Sequence, residues 1–217
     1  MSITCQNIVD SAEIILHDTG NADFAAADLF TFLKTCQRKI ASIKPDASVT
    51  NASVQLATGT KQSIPTGGIQ LINVTRNMGT DGSTAGEAIQ FCDLATMNDL
   101  NPDWNTDTAS ATVQNYIFDS KNPKSFYVYP PQPGSDQGYV EEVYAVTPAD
   151  PASIAAAITL DDIYEPALLH MLLHMVYSID AAQSPYASQQ SQYHWNMAVT
   201  LLDRKDLKEQ TDAPRPE

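Results

Sequence analysis

The stretch LDDIYEPALLHMLLHMVYSID, residues 160–180, decides the fold. Asp162 followed by Glu165 reads as a capping box, and Pro166 falls in the first turns, where its missing N–H costs little. Leu168, Leu172, Met175 and Ile179 then make one apolar row, and Leu169, Leu173, Val176 and Tyr177 a second. Ala167, His170, His174 and Ser178 form the weaker face. A helix apolar most of the way round is buried on several sides or lies in a membrane. Two histidines interrupt this run, and it falls short of the roughly 20 residues a bilayer span needs. Burial among other helices is the expectation, with no membrane partner.

A second helix follows at once. Ser184 is placed to cap it and Pro185 to open it, and Tyr186, Gln190, Tyr193, Met197 and Leu201 recur at helical spacing. The short link through Ala181–Gln183 predicts an antiparallel hairpin. Two more one-sided helices are predicted near the start. The first covers residues 4–18, with Cys5, Ile8, Ala12 and Ile15 inward and Gly20 ending it. The second runs from Asp23 or Phe24 to Ile43, with Leu29, Phe32, Leu33, Cys36 and Ile40 inward and Pro45-Asp46 stopping it.

Between the helix pairs the apolar period changes to about two. Strands are expected around Val54–Leu56, Ile69–Val74, Val113–Phe118 and Ser125–Tyr129. Pro130-Pro131 should close the last of these, and Tyr139–Val146 should return as its hairpin partner. The run MGTDGSTAG, residues 78–86, has the composition of an exposed loop or arm, and in Ala88–Leu100 the residues Ile89, Cys92 and Asp93-Leu94 suit a short helix ending before Asn101-Pro102. The fold expected is therefore α+β: a four-helix bundle built from the N- and C-terminal helix pairs, with an inserted antiparallel β module. Its domains would be a discontinuous bundle of residues 1–47 and 158–207, a β-rich module with linker at 48–157, and a flexible C-terminal tail at 208–217.

The charge balance narrows the function. Twenty-six acidic residues against 12 basic ones leave a net charge of −14 in 217 residues, which repels nucleic acid. The chain opens with no basic and apolar leader pattern. Cys5, Cys36 and Cys92 have no disulfide or metal spacing and read as free thiols of a reducing cytosol.

Sites for chemistry are sparse. His170 and His174 stand i, i+4 as two zinc ligands would, but Met171 occupies the place of the zinc-protease glutamate and no third ligand follows. A metallohydrolase is the weaker rival reading, and histidines hydrogen-bonded within a helix interface, near His194 and Trp195, the stronger one. Asp99, Asp103 and Asp107 lack the spacing of a calcium loop. There is no G-x-S-x-G and no phosphate loop. Phe126, Tyr127, Tyr129, Tyr139 and Tyr144 would line a hairpin able to stack a sugar, so a carbohydrate-binding module is the alternative. The reading is of no catalytic residue, no cofactor and no metal.

Several stretches, in order, resemble the head-to-tail adaptor (connector) proteins of short-tailed bacteriophages. They are Ile15-Leu16-His17-Asp18; Phe24 with Leu29–Leu33 and Gln37–Ile40; Pro45-Asp46; and Thr58–Pro65 with its Gly-Thr-basic-Gln pattern. Val74-x-Arg76-Asn77, Asn101-Pro102-Asp103-Trp104, Asn122–Pro131 and the helix from Leu160 to Asp180 follow. The family often carries arginine where this chain has His174, so an ion pair there is not carried over. The resemblance implies a structural protein of the virion, made in the host bacterial cytoplasm and placed at the head–tail junction. A ring of about twelve copies would join the portal protein to tail tube, nozzle or fibre proteins and continue the DNA channel without reading sequence. Candidate partner-interface residues are Met78, Thr80 and Asp81 in the loop, Tyr127 and Tyr129, His170 and His174, and Lys208, Glu209 and Arg215 in the tail.

Overall fold

The computed structural model describes residues 2–212, with side chains through Asp203. The chain divides into two compact units, residues 1–47 with 148–217, and residues 48–147.

The first unit holds helices α1 (Cys5–Leu16), α2 (Ala26–Ile43), α4 (Glu165–Ile179) and α5 (Pro185–Asp212). Its two sequence-distant halves are stitched by backbone bonds: Cys5 N–H to Ala156 O, Gln6 N–H to Ile154 O, and Ile158 N–H to Ile3 O. Thr4 caps α1 by accepting from the Asn7 N–H. His17, in the left-handed conformation, ends α1 instead of Gly20. Asp18 then accepts from the N–H groups of Ala22, Asp23 and Phe24, fixing the link to α2 and holding its own carboxyl below the usual range. Buried Gln37 on α2 accepts from Thr159 and Leu160, which anchors the approach to α4.

The capping of α4 differs from expectation. Asp161, not Asp162, caps a 3-10 turn at Asp162–Tyr164, and α4 begins only at Glu165. Asp162 instead accepts from the Ile3 N–H. The buried face of α4 is Ala167, Leu168, Met171, Leu172, Leu173 and Val176, while Ile179 is exposed. These side chains share one core with Ile8 and Val9 of α1, Leu29, Leu33 and Ile40 of α2, and Ala198 and Leu202 of α5.

The second unit contains β1 (Val49–Gln55), β2 (Gly59–Ser63), β3 (Gly68–Asn77), β4 (Gln90–Phe91), β5 (Asn115–Phe118), β6 (Ser125–Gln132), β7 (Tyr139–Val146) and a further helix, α3 (Leu94–Leu100). The strands form a three-stranded sheet, β1-β7-β3, and a four-stranded sheet, β2-β6-β5-β4, in which β4 and β5 run parallel. The core of this unit joins Leu71, Val74, Val140 and Tyr144 of the first sheet to Tyr116, Phe126 and Val128 of the second. A smaller cluster of Met97, Trp104 and Ile117 seats α3, and the Trp104 Nε1–H donates to Asn98.

The expected four-helix bundle with an inserted antiparallel β module is therefore corrected. The described residues make five helices and two sheets of seven strands, with 38% helix and 23% strand. α3 has only seven residues, too few for a clear apolar period, and its Asp93 cap accepting from Ala95 is what starts it. The pairing of β6 with β7 is overturned too. β7 lies between β1 and β3, so the turn through Gly134–Gly138 carries the chain from one sheet to the other. Periodicity gives each strand's faces but not its partner. Nor do Pro130 and Pro131 close β6. It continues to Gln132, and the ladder with β2 is irregular between Gly59 and Lys61, where the prolines offer no N–H.

Candidate functional site

The residues expected to carry contacts fall on both units. In the helical unit His170 and His174 point into the packing of α4 against α5. The Nδ1 atoms of His170 and His194 lie 2.8 Å apart, so one ring donates to the other. His174 Nδ1 lies 3.0 Å from both Ser191 O and Ser191 Oγ. The rings of Tyr177 and His194 stack at 5.7 Å, and Trp195 lies 5.1 Å from His174 with the Lys39 ammonium over the Trp195 ring at 4.7 Å. Burial lowers the affinity of all three histidines for protons. His194, additionally close to the other two, is pushed down to about 4. They are neutral rings locking a hairpin. Among the described residues, no group of three or more His, Cys, Asp or Glu side chains is arranged to hold a metal ion.

The α5 row Tyr186, Gln190, Tyr193, Met197 and Leu201, which recurs at helical spacing, divides: Leu201 packs against the core, and the two tyrosines lie outside it. Tyr186 is 62% and Tyr193 52% exposed, while Ala187, Ser191, His194, Ala198 and Leu202 are buried. Small side chains let α4 and α5 approach closely, and that approach turns the aromatic row outward. With Ile14 and Ile15 of α1 and Ile179 of α4, also exposed, this leaves apolar surface on the helical unit. A groove of about 430 Å³ opens among Ile15, Phe24, Tyr177, Asp180 and Tyr186.

In the β unit, Met78 is half-buried, Thr80 and Asp81 are exposed, and the loop that holds them is built rather than slack. Asp81 accepts from the N–H and hydroxyl of Ser83 and Thr84, which holds its carboxyl far below the usual range. Gly79 and Gly82 take positive φ, and Met78 and Gly79 exchange bonds with Tyr139. Tyr127 packs edge-on against Trp104 at 5.8 Å, and the Tyr129 hydroxyl donates to Asp107. Tyr139 and Tyr144 lie in the other sheet, so the tyrosine-lined hairpin proposed for a sugar does not form. Exposed apolar residues that the sequence did not disclose are Phe91 (57% exposed), Leu94 and Leu100 (77% exposed). Val49, Ile72 and Tyr127 are also exposed in this unit, and Leu94 and Tyr127 line a groove of about 470 Å³ together with Phe118 and Asn122. No local pattern marks them, because an isolated apolar residue reads as core.

Lys208 and Glu209 lie within α5, which runs on to Asp212, so the segment expected to be a flexible tail begins as helix. Arg215 lies outside the described residues. The thiols of Cys5 and Cys36 are buried and raised, Cys36 to about 12, and Cys92 is half-buried; all three are free. Among the described residues, no helix is long and apolar enough to cross a membrane.

Both units carry exposed apolar and aromatic side chains, the kind of surface through which proteins make contacts. The particular family follows from comparison: the model of the SU10 adaptor protein family matches residues 3–216, so the chain belongs to that family of bacteriophage adaptors. No curated protein matches the chain.

Proposed function

We propose that this protein is a head-to-tail adaptor which assembles as a ring, of twelve copies by the resemblance of its sequence, between the portal and the tail. The observation that carries the reading is the family match across nearly the whole chain. Three features support it. The exposed apolar side chains of α1, α4 and α5, and those of Phe91, Leu94 and Leu100, supply area for contacts with neighbouring copies and with other virion proteins. A net charge of −14 per copy disfavours adhesion of the genome to a channel wall, so DNA slides through without sequence-specific binding. His170, His174, His194 and Tyr129 are occupied in hydrogen bonds within the packing, which suits a structural part rather than a catalyst.

In this reading the helical unit makes the ring, by heterologous contacts closed through cyclic symmetry. The β unit, with the loop of Met78, Thr80 and Asp81, faces tail proteins, and the segment from Lys208 and Glu209 through Arg215 reaches the portal. Electron microscopy of the protein mixed with purified portal tests this. Twelve-fold rings stacked on the portal are expected; a monomer that ignores portal would overturn it.

A further inference from the structure

We infer that β1 is a strand-addition site, which receives an extended segment of another virion protein as a new edge of the β1-β7-β3 sheet. The inference rests on the adaptor reading above.

The register gives the geometry. β1 pairs with β7 without a shift, from Val49 opposite Ala145 to Gln55 opposite Tyr139. Just beyond either end, the Val146 N–H donates to Ser48 O and the Leu56 N–H to Gly138 O. In an antiparallel ladder, residues that exchange hydrogen bonds alternate with residues that do not. Residues 48, 50, 52, 54 and 56 thus turn their N–H and C=O toward β7. Val49, Asn51, Ser53 and Gln55 turn theirs away, and among the described residues nothing pairs with them. The same four residues are the exposed ones.

An open edge of this kind normally carries a guard: a charge, a proline, a bulge or a cover. The sequence VTNASVQ has neither charge nor proline, and its ladder has no bulge. The other edges are guarded. β3 has three register irregularities and is covered by bonds from Asn77 to Glu87, Ile89 to Thr75 and Leu71 to Pro123. β2 carries Lys61 beside an irregularity, and β4 has two residues. Thr50, Ala52 and Val54 are half-buried on the core face, with Ala52 packed against the core cluster. An added strand would complete their burial.

The occupant follows from symmetry and charge. β1 against β1 of a second copy is a two-fold arrangement, which a ring closed by one cyclic axis does not contain between neighbours. A heterologous pairing between copies would need a second unguarded edge, and β2, β3 and β4 are each irregular, covered or short. The β unit carries ten acidic residues against four basic ones, so it favours a neutral or basic segment and disfavours another copy. The structure therefore calls for about seven extended residues of a different protein, with small or β-branched side chains at alternate positions and no acidic residue beside them.

Hydrogen exchange tests this, on the free protein and on the protein within purified virions. The amides of Val49, Asn51, Ser53 and Gln55 should exchange freely in the first and at least about tenfold more slowly in the second. Asn51→Pro, and Ser53→Pro as a second variant, remove an outward N–H that β7 does not use. Either should keep the free protein's melting temperature within a few degrees yet lose incorporation into tailed particles. Equal exchange in both states, or normal particles from both proline variants, would overturn the inference while leaving the adaptor reading intact. Protection of these amides in a two-fold dimer of the free protein would overturn the assigned occupant. Absence of the chain from virions would sink the adaptor reading and this inference with it.

Discussion

At the scale of single residues, two titrating groups act in opposite directions. Glu142 on β7 is 1% exposed with no partner for either carboxyl oxygen, and burial pushes its pKa up to about 7 from 4.5. A raised carboxyl contributes stability that is fully present below pH 4.5 and is lost as pH rises through 7. Glu142→Gln removes that slope, so the variant should be more stable than the native chain at pH 8, by on the order of 3 kcal/mol, and equal to it near pH 4. Denaturant unfolding at the two pH values checks this, and equal stability at pH 8 would show Glu142 to be satisfied. His194 behaves in the opposite sense. Its pKa falls from 6.5 to about 4, so the stability it contributes is present above pH 6.5 and lost as pH falls through 4. Replacing His194 by Gln should flatten the acid side of the melting curve between those values.

At the scale of elements, the α4–α5 hairpin shows what a periodic pattern leaves open. Tyr186 and Tyr193 recur at helical spacing and are apolar enough to read as core, yet the buried row one residue on consists of Ala187, Ser191, His194, Ala198 and Leu202. Close packing selects small side chains, and only the partner helix reveals that choice. Ala198→Leu should therefore overfill the interface and cost about 1–3 kcal/mol, whereas Tyr193→Ser should change stability by less than about 0.5 kcal/mol. Thermal melts would reverse in rank if the aromatic row were the packed one. Leu172→Asp, at the centre of the same core, should lose at least about 4 kcal/mol by burying an unpaired charge. Retained helicity in circular dichroism would contradict that placement. In the β unit, the alternation of β6 and β7 was legible while their partners were not. Each strand's faces are written locally, but pairing depends on which other strand completes the core.

At the scale of the whole molecule, the two compact units should respond oppositely to acid. Between pH 7 and 5 the β unit gains from Glu142 while the helical unit loses from its histidines. Two separately monitored melting transitions should draw together or apart accordingly, and a single pH-independent transition would refute it. Removing residues 208–217 should weaken attachment to portal more than it weakens folding, because that sequence is charged and proline-containing and offers little apolar surface to a core. Portal binding unchanged after the deletion would count against the role proposed for this segment.

By itself the sequence determined the helix pair at each end of the chain, the short turn at Ala181–Gln183, the strand-rich middle and the acidic balance. These follow from period, capping chemistry and composition, which are local properties. It also carried the family, because collinear motifs survive without knowledge of their contacts. Only the tertiary structure decided that β7 joins β1 and β3, that the tyrosines of α5 face outward, that Glu142 is buried without a partner and that the edge of β1 is open. The physical reason is common to all four: burial and pairing belong to two segments at once, and a linear pattern describes one.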